Sequence, residues 1–245
     1  MGEYRKIIAA VLLLIGMLLV GMSAAAADPG NFPRLALTNV LVAEGGYTTD
    51  PRDPGNRGGN ATLNGVIQSV YDADRDARGL PRRKLTRAML GTAEWADERD
   101  GIYRKRYWDP CGGPILPRGV DFEVFSMCVN AGISRGWSML MKVLGLPTAR
   151  PWASHAEVLA AITTTGPRAT IRLYGAERRR FYTAIAPRTG GVYLRGWLDR
   201  EARERLAALA MVSGLVQGSG VEMQRSNFPV GKAVEDADEL LELTP

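Results

Sequence analysis

Hydrophobic positions recur along this chain with the period of a helix rather than that of a strand. In PRLALTNVLVAEGG, Leu37, Val40, Leu41 and Glu44 fall at i, i+3, i+4 and i+7, which predicts a helix stopped by Gly45 and Gly46. DFEVFSMCVNAG sets Asp121, Val124, Phe125, Cys128 and Val129 on one stripe and ends at Gly132. GWSMLMKVLGLP does the same with Trp137, Leu140, Met141 and Leu144. PRATIRLYGAERRRFYTAI begins with Pro167 and aligns Ile171, Tyr174, Arg178, Phe181, Tyr182 and Ile185. LRGWLDREARERLAALAMVSGLV reads as a last helix. In WASHAEVLAAI, Ser154 and Glu157 have the spacing of a capping box. No long run alternates with a period of two, and a β-ribbon fits only around residues 46 to 66. The pattern therefore predicts a mainly α fold.

The two ends of the chain break this pattern. MGEYRK is short and net positive, the next 16 residues carry no charge, and Ala25 and Ala27 precede Asp28 in an A-x-A arrangement. Residues 1–27 are expected to be a signal peptide or membrane anchor, touching the membrane through residues 7–27 if uncleaved. The body is then exported: periplasmic or secreted, or anchored at the inner membrane. Residues 216–245 form an acidic tail with too little apolar surface to offset its ordering entropy, and are expected to be disordered.

Charge sharpens this picture. The formal net charge is +5; the first 27 residues contribute +1 and the last 14 contribute −4, leaving +8 in the body. A basic exported body suits a cell-wall polyanion and makes nucleic acid a poor partner. Arg178, Arg179, Arg180, Arg195, Arg200, Arg203 and Arg205 form either a face for that polymer or an ordinary solvated face. Cys111 and Cys128 allow one disulfide, but Cys128 lies on an apolar stripe, so the sequence favours a buried free thiol over the bridge.

Several chemistries are disfavoured. His155 is the only histidine, too few for a catalytic zinc site, and its position at the start of a capped helix suits an exposed first-turn residue rather than a general base. No phosphate-binding loop or dinucleotide fingerprint is present. Simple hydrolysis is then left to carboxylates. Glu44 lies on an apolar stripe in the last turn of its helix, where partial burial and the negative end of the helix dipole both favour the protonated form that a general acid needs. The same position would also suit a carboxylate that caps a turn or meets an arginine.

The stretch EGGYTTDPRDPGNRGGNATLNGV resembles the E-G-G-Y…D-P-x-D-P-G-G-x-T-x-x-G-I pattern of glycoside hydrolase family 108, the lysozyme-like N-acetylmuramidases. Glu44, Gly45, Gly46 and Tyr47 match its start. Asp50, Pro51, Asp53, Pro54 and Gly55 match its middle, and Thr62, Gly65 and Val66 its end. YRKRYWDPCGGPILPRGVDFEVFSMCVNAGISRGWSMLMKVLGL and AERRRFYTAI…YLRGWLDR are similar to the helical peptidoglycan domain that accompanies it, so the likeness covers roughly residues 34 to 210.

The resemblance implies a lysozyme-like helical catalytic region with a small β-ribbon or loop at residues 34–110, followed by a helical peptidoglycan-binding region at 111–215. It implies Glu44, Asp53 and Thr62 as catalytic residues, Tyr47 and Asp50 as substrate-binding residues, and no metal or other cofactor. The partner implied is peptidoglycan, cut by a monomer between N-acetylmuramic acid and N-acetylglucosamine in phage lysis or wall remodelling. One departure stands out: Thr62 lies nine positions after Asp53 rather than five, a four-residue insertion that a glycine-rich bulge would absorb. Two alternatives stay open at this point. One is a non-catalytic wall-binding module with a vestigial Glu44; the other is a lytic transglycosylase, against which Asp53 argues.

Overall fold

The computed structural model describes residues 32–149 and 152–213. The expected leader, the membrane contact through residues 7–27 and the acidic tail all lie outside the described residues. Within them, no helix is long and apolar enough to cross a membrane.

The predicted first helix begins as a π-helical turn, Phe32–Leu37, that runs without a break into α1 (Thr38–Glu44). Phe32 anchors it: its ring sits 5.1 Å from that of Trp108 and 5.8 Å from that of Phe125. Leu37 and Val40 of the predicted stripe are buried, and Glu44 is half-buried at the end of the helix. The chain then folds into a three-stranded antiparallel sheet of two-residue strands: β1 (Tyr47–Thr48), β2 (Thr62–Leu63) and β3 (Val66–Ile67). Thr48 pairs with Thr62, and Leu63 with Val66. This is the ribbon expected near residues 46 to 66, much shorter than the stretch that holds it.

Helices α2 (Gln68–Ala77) and α3 (Ala93–Tyr103) follow, then a second π-helical turn, Arg104–Trp108. The remaining helices are α4 (Val120–Ala131), α5 (Ile133–Val143), α6 (His155–Thr165), α7 (Pro167–Ile185) and α8 (Leu194–Val212). The fold is mainly helical with one small sheet, as the pattern predicts.

α4 departs from expectation. The sequence places one stripe of it against a core, but residues 120 to 128 are buried on every side. The reason is its position: it packs against the N-terminal helical turn, α5, α7 and α8, so no face is left for water. Buried apolar side chains from Phe32 to Met211 form one continuous core around it. A disulfide joins Cys111 to Cys128, which corrects the expectation of a buried free thiol: the packing of α4 brings the two cysteines together. Closing a loop of this size contributes about 3 kcal/mol on the chain-entropy view.

At α6 the capping box forms as predicted: Ser154 N–H donates to Glu157 Oε2 at 2.7 Å, and Glu157 N–H to Ser154 Oγ at 3.3 Å. His155 is exposed and lies flat against Trp137, with ring centroids 6.2 Å apart.

Candidate active site

Glu44 is delivered by the end of α1. Gly45 stops the helix at φ +74°, a region open to glycine without strain. The side chain is 22% exposed, so solvent or a ligand can reach it. Its two oxygens meet different neighbours. Oε1 accepts from Arg200 Nη1 of α8 at 3.3 Å. Oε2 lies beside Gly65, where an added Cβ would sit 3.0 Å from it and would also overlap the Tyr103 hydroxyl. Gly65, at φ +76°, is therefore glycine both for its backbone and for the space Glu44 and Tyr103 occupy. Burial and the nearby Glu44 together push the Tyr103 phenol far above its usual range, so it stays a hydroxyl and donates to Asn64 O at 2.9 Å.

Asn64 holds these parts in register. With Gly65 it forms the tight turn between β2 and β3, at φ +46° and +76°, the left-handed pair an Asn-Gly hairpin turn requires. Its backbone N–H donates to Gly46 O at 2.8 Å and its amide to Gly45 O at 3.0 Å, binding the turn to the end of α1. Its side-chain oxygen accepts from Trp95 Nε1 at 2.9 Å, binding it to α3. The Asn-Gly pair is a hairpin signal legible in the sequence. Asn64, Trp95 and Tyr103 are supports of the site that the flanking motif does not contain.

Asp53 sits half-buried in the loop between β1 and β2. Its Oδ1 accepts from Gly55 N–H at 2.8 Å, capping a short 3-10 turn, Pro54–Asn56. The inserted residues form a closed excursion. Asn60 N–H donates to Asn56 O at 3.2 Å, and Gly58 and Gly59 turn at φ +74° and +75°. Asn56, buried at 2% exposure, draws the loop shut: its amide donates to Asp50 O at 3.1 Å and its carbonyl accepts from Thr62 Oγ1 at 2.8 Å. The glycine-rich bulge thus absorbs the insertion.

Thr62 is buried in β2, its hydroxyl committed to Asn56. Among the described residues no hydrogen bond joins it to Glu44 or Asp53. Tyr47 is half-buried in β1 with the Arg87 guanidinium over its ring at 5.2 Å. The Asp50 carboxylate faces outward and pairs with Arg52 Nη2 at 2.7 Å; that hydrogen bond holds it below the usual carboxylate range.

The arginines of α7 and α8 divide sharply, which corrects the expectation of a single surface face. Arg180 and Arg195 are open to solvent. Arg178 is fully buried and bridges two glutamates, Glu123 of α4 at 2.7 Å and Glu204 of α8 at 2.6 Å. Arg200, 11% exposed, and Arg205 are also tucked into ion pairs, with Glu204 at 2.9 Å and Glu201 at 3.0 Å. A charge on a helix stripe can face the core when a carboxylate waits there, and only packing reveals that partner. Burial favours the neutral acid at Glu204, but the guanidiniums of Arg178 and Arg200 outweigh it and hold that carboxyl below its usual value.

A helix ending on a glutamate, a small glycine-turned sheet beside it and a helical body around both are the parts of a lysozyme-like fold. Residues 37–132, a segment that contains Glu44 and the whole loop to Gly65, match Glycosyl hydrolase 108, which supports a glycoside hydrolase of the lysozyme type. Among solved structures, Brucella abortus SagA is similar to it at 28% identity and a TM-score of 0.57, over 75% of this chain and 97% of that one. That likeness reaches well beyond residues 37–132. No curated protein sequence matches the chain.

Proposed function

We infer that the protein hydrolyses the β-1,4 bond between N-acetylmuramic acid and N-acetylglucosamine in peptidoglycan, with Glu44 as general acid. The observation that supports this most is the setting of Glu44: a half-buried carboxyl at a helix end, one oxygen tied to a cation and the other left beside a glycine, within the family-matched segment. In this reading Glu44 protonates the glycosidic oxygen. Asp53, held in a polar loop by Gly55 N–H, stabilises the cationic transition state or directs a water. Thr62 supports the loop that carries Asp53, while Tyr47 and Asp50 border the site as substrate contacts. Residues 111–215 bind the glycan or its peptides, and the exposed arginines Arg180 and Arg195 suit its negative charge. The chain works exported and as a monomer; a disulfide is at home in an oxidising compartment.

One observation favours a second reading. The Glu44–Arg200 ion pair is also what a retired catalytic residue would make, which would leave a wall-binding module. Reducing-end release from purified sacculi separates the two. Glu44→Gln is expected to lower turnover at least about 10²-fold while sacculus binding survives, since Gln keeps the shape but donates no proton of suitable acidity. Wild-type protein that binds sacculi but releases no reducing ends would establish the binding module instead. Products carrying 1,6-anhydro ends would replace hydrolysis with transglycosylation.

A further inference from the structure

We propose that Arg200 is a positioning residue for the general acid, fixing the Glu44 carboxyl so that Oε1 is anchored and Oε2 is the oxygen that carries and delivers the proton. This rests on the reading of Glu44 given above.

The seat of Arg200 is built from the core outward. Its Nε donates to Glu204 Oε1 at 2.9 Å, and its Nη2 lies 3.5 Å from Ser126 Oγ. Ser126 in turn donates to Glu204 Oε2 at 2.6 Å, and the buried Arg178 donates to that same oxygen at 2.6 Å. Two edges of the guanidinium are thus committed to groups on α4 and α8. The remaining nitrogen, Nη1, points at Glu44 Oε1. A planar fork held in this way offers one direction of contact, which a flexible ammonium does not.

The contact is single rather than bidentate, so it orients one oxygen and leaves the other free. Oε2 then lies toward Gly65 and the hairpin, away from the cation. A proton on Oε1 would face a guanidinium N–H, whereas one on Oε2 would not, so the cation selects Oε2 as the protonated oxygen. After transfer, the new carboxylate keeps the same partner. The residue that does this lies 156 positions along the chain from Glu44, outside the family-matched segment. The catalytic glutamate is therefore oriented by a helix that the family motif does not include.

The test uses the full chain and compares wild type, Arg200→Gln, Arg200→Lys and Glu44→Gln on solubilised glycan strands. Both kcat and KM are measured, normalised to the folded fraction from thermal melting. For Arg200→Gln the expected result is a fall in kcat of about tenfold or more with KM within about twofold, because misplacing a reacting group costs turnover rather than binding. Arg200→Lys is expected to fall between Arg200→Gln and wild type. A kcat per folded molecule within about twofold of wild type in Arg200→Gln, or a loss confined to KM, overturns the proposal. If Arg200→Gln does not fold, Arg200→Lys decides: a severalfold lower kcat at unchanged KM supports the role, and wild-type kcat overturns it. Glu44→Gln keeps the two ideas apart. Should it remain active, the assignment of the general acid fails; should it be dead while Arg200→Gln is fully active, only the role of Arg200 fails.

Discussion

Glu44 is held between two regions built on opposite principles. On one side is the hairpin region, residues 45 to 67, made of turns, glycines and backbone hydrogen bonds around strands of two residues. On the other is the helical region, where α4, α7 and α8 enclose Arg178, Glu123 and Glu204 in an ion-pair cluster. The hairpin side gains its precision from backbone conformations that only glycine and asparagine adopt readily. The helical side gains it from charges that have no water to turn to and must keep their partners. The first is tolerant in energy and strict in shape; the second is strict in energy. Damage to the first should cost activity more than stability, and damage to the second the reverse.

The largest expected effect is on the helical side. Arg178→Met would leave Glu123 and Glu204 buried without their shared guanidinium, and removing one partner from such a cluster typically costs about 3–5 kcal/mol. Urea unfolding should show that loss, with the fold weakened ahead of the chemistry. A change under about 1 kcal/mol would mean that water or a rearranged neighbour reaches the cluster, and the contrast between the two regions would weaken.

Gly65→Ala strikes the other side. A side chain at φ +76° costs about 1–2 kcal/mol, and its Cβ would collide with the Tyr103 hydroxyl and crowd Glu44. Turnover should drop by about tenfold or more while the melting temperature falls by only a few degrees. Equal losses in kcat and in folded fraction would show that the hairpin is a stability element first.

The smallest effect sharpens the comparison through pH. Burial pushes the Glu123 carboxyl up to about 7, with Arg178 opposing and Glu201 and Glu204 adding to the rise. The folded state then holds a proton that the unfolded chain, near 4.5, releases earlier. This contribution to stability is fully present below pH 4.5 and is lost as pH rises through about 7. Glu204 has the opposite sign, because its carboxyl is lowered: its contribution is lost as pH falls. The difference between wild type and Glu123→Gln isolates the first group. Melting from pH 5 to 8 should decline in wild type and be flatter in the variant; parallel curves would show Glu123 ionised throughout.

Sequence alone determined what depends on neighbours along the chain. Leu37, Val40 and Glu44 share a face because a helix repeats every 3.6 residues, and Gly45 ends that helix because the next turn needs a positive φ. The Ser154–Glu157 cap and the ribbon near residue 47 are local in the same sense. So was the position of Asp53 in a turn, though not its use in capping Gly55, and the Asn64-Gly65 turn is local too. Only the tertiary structure decided which distant groups meet. That Cys111 reaches Cys128, that Asn56 closes the inserted loop onto Thr62, that Arg178 is core rather than surface, and that Arg200 finds Glu44 across 156 residues all depend on how the helices pack. A periodic stripe records that a side chain faces inward. It does not record what stands opposite, and for a charge that partner decides whether burial stabilises or destroys.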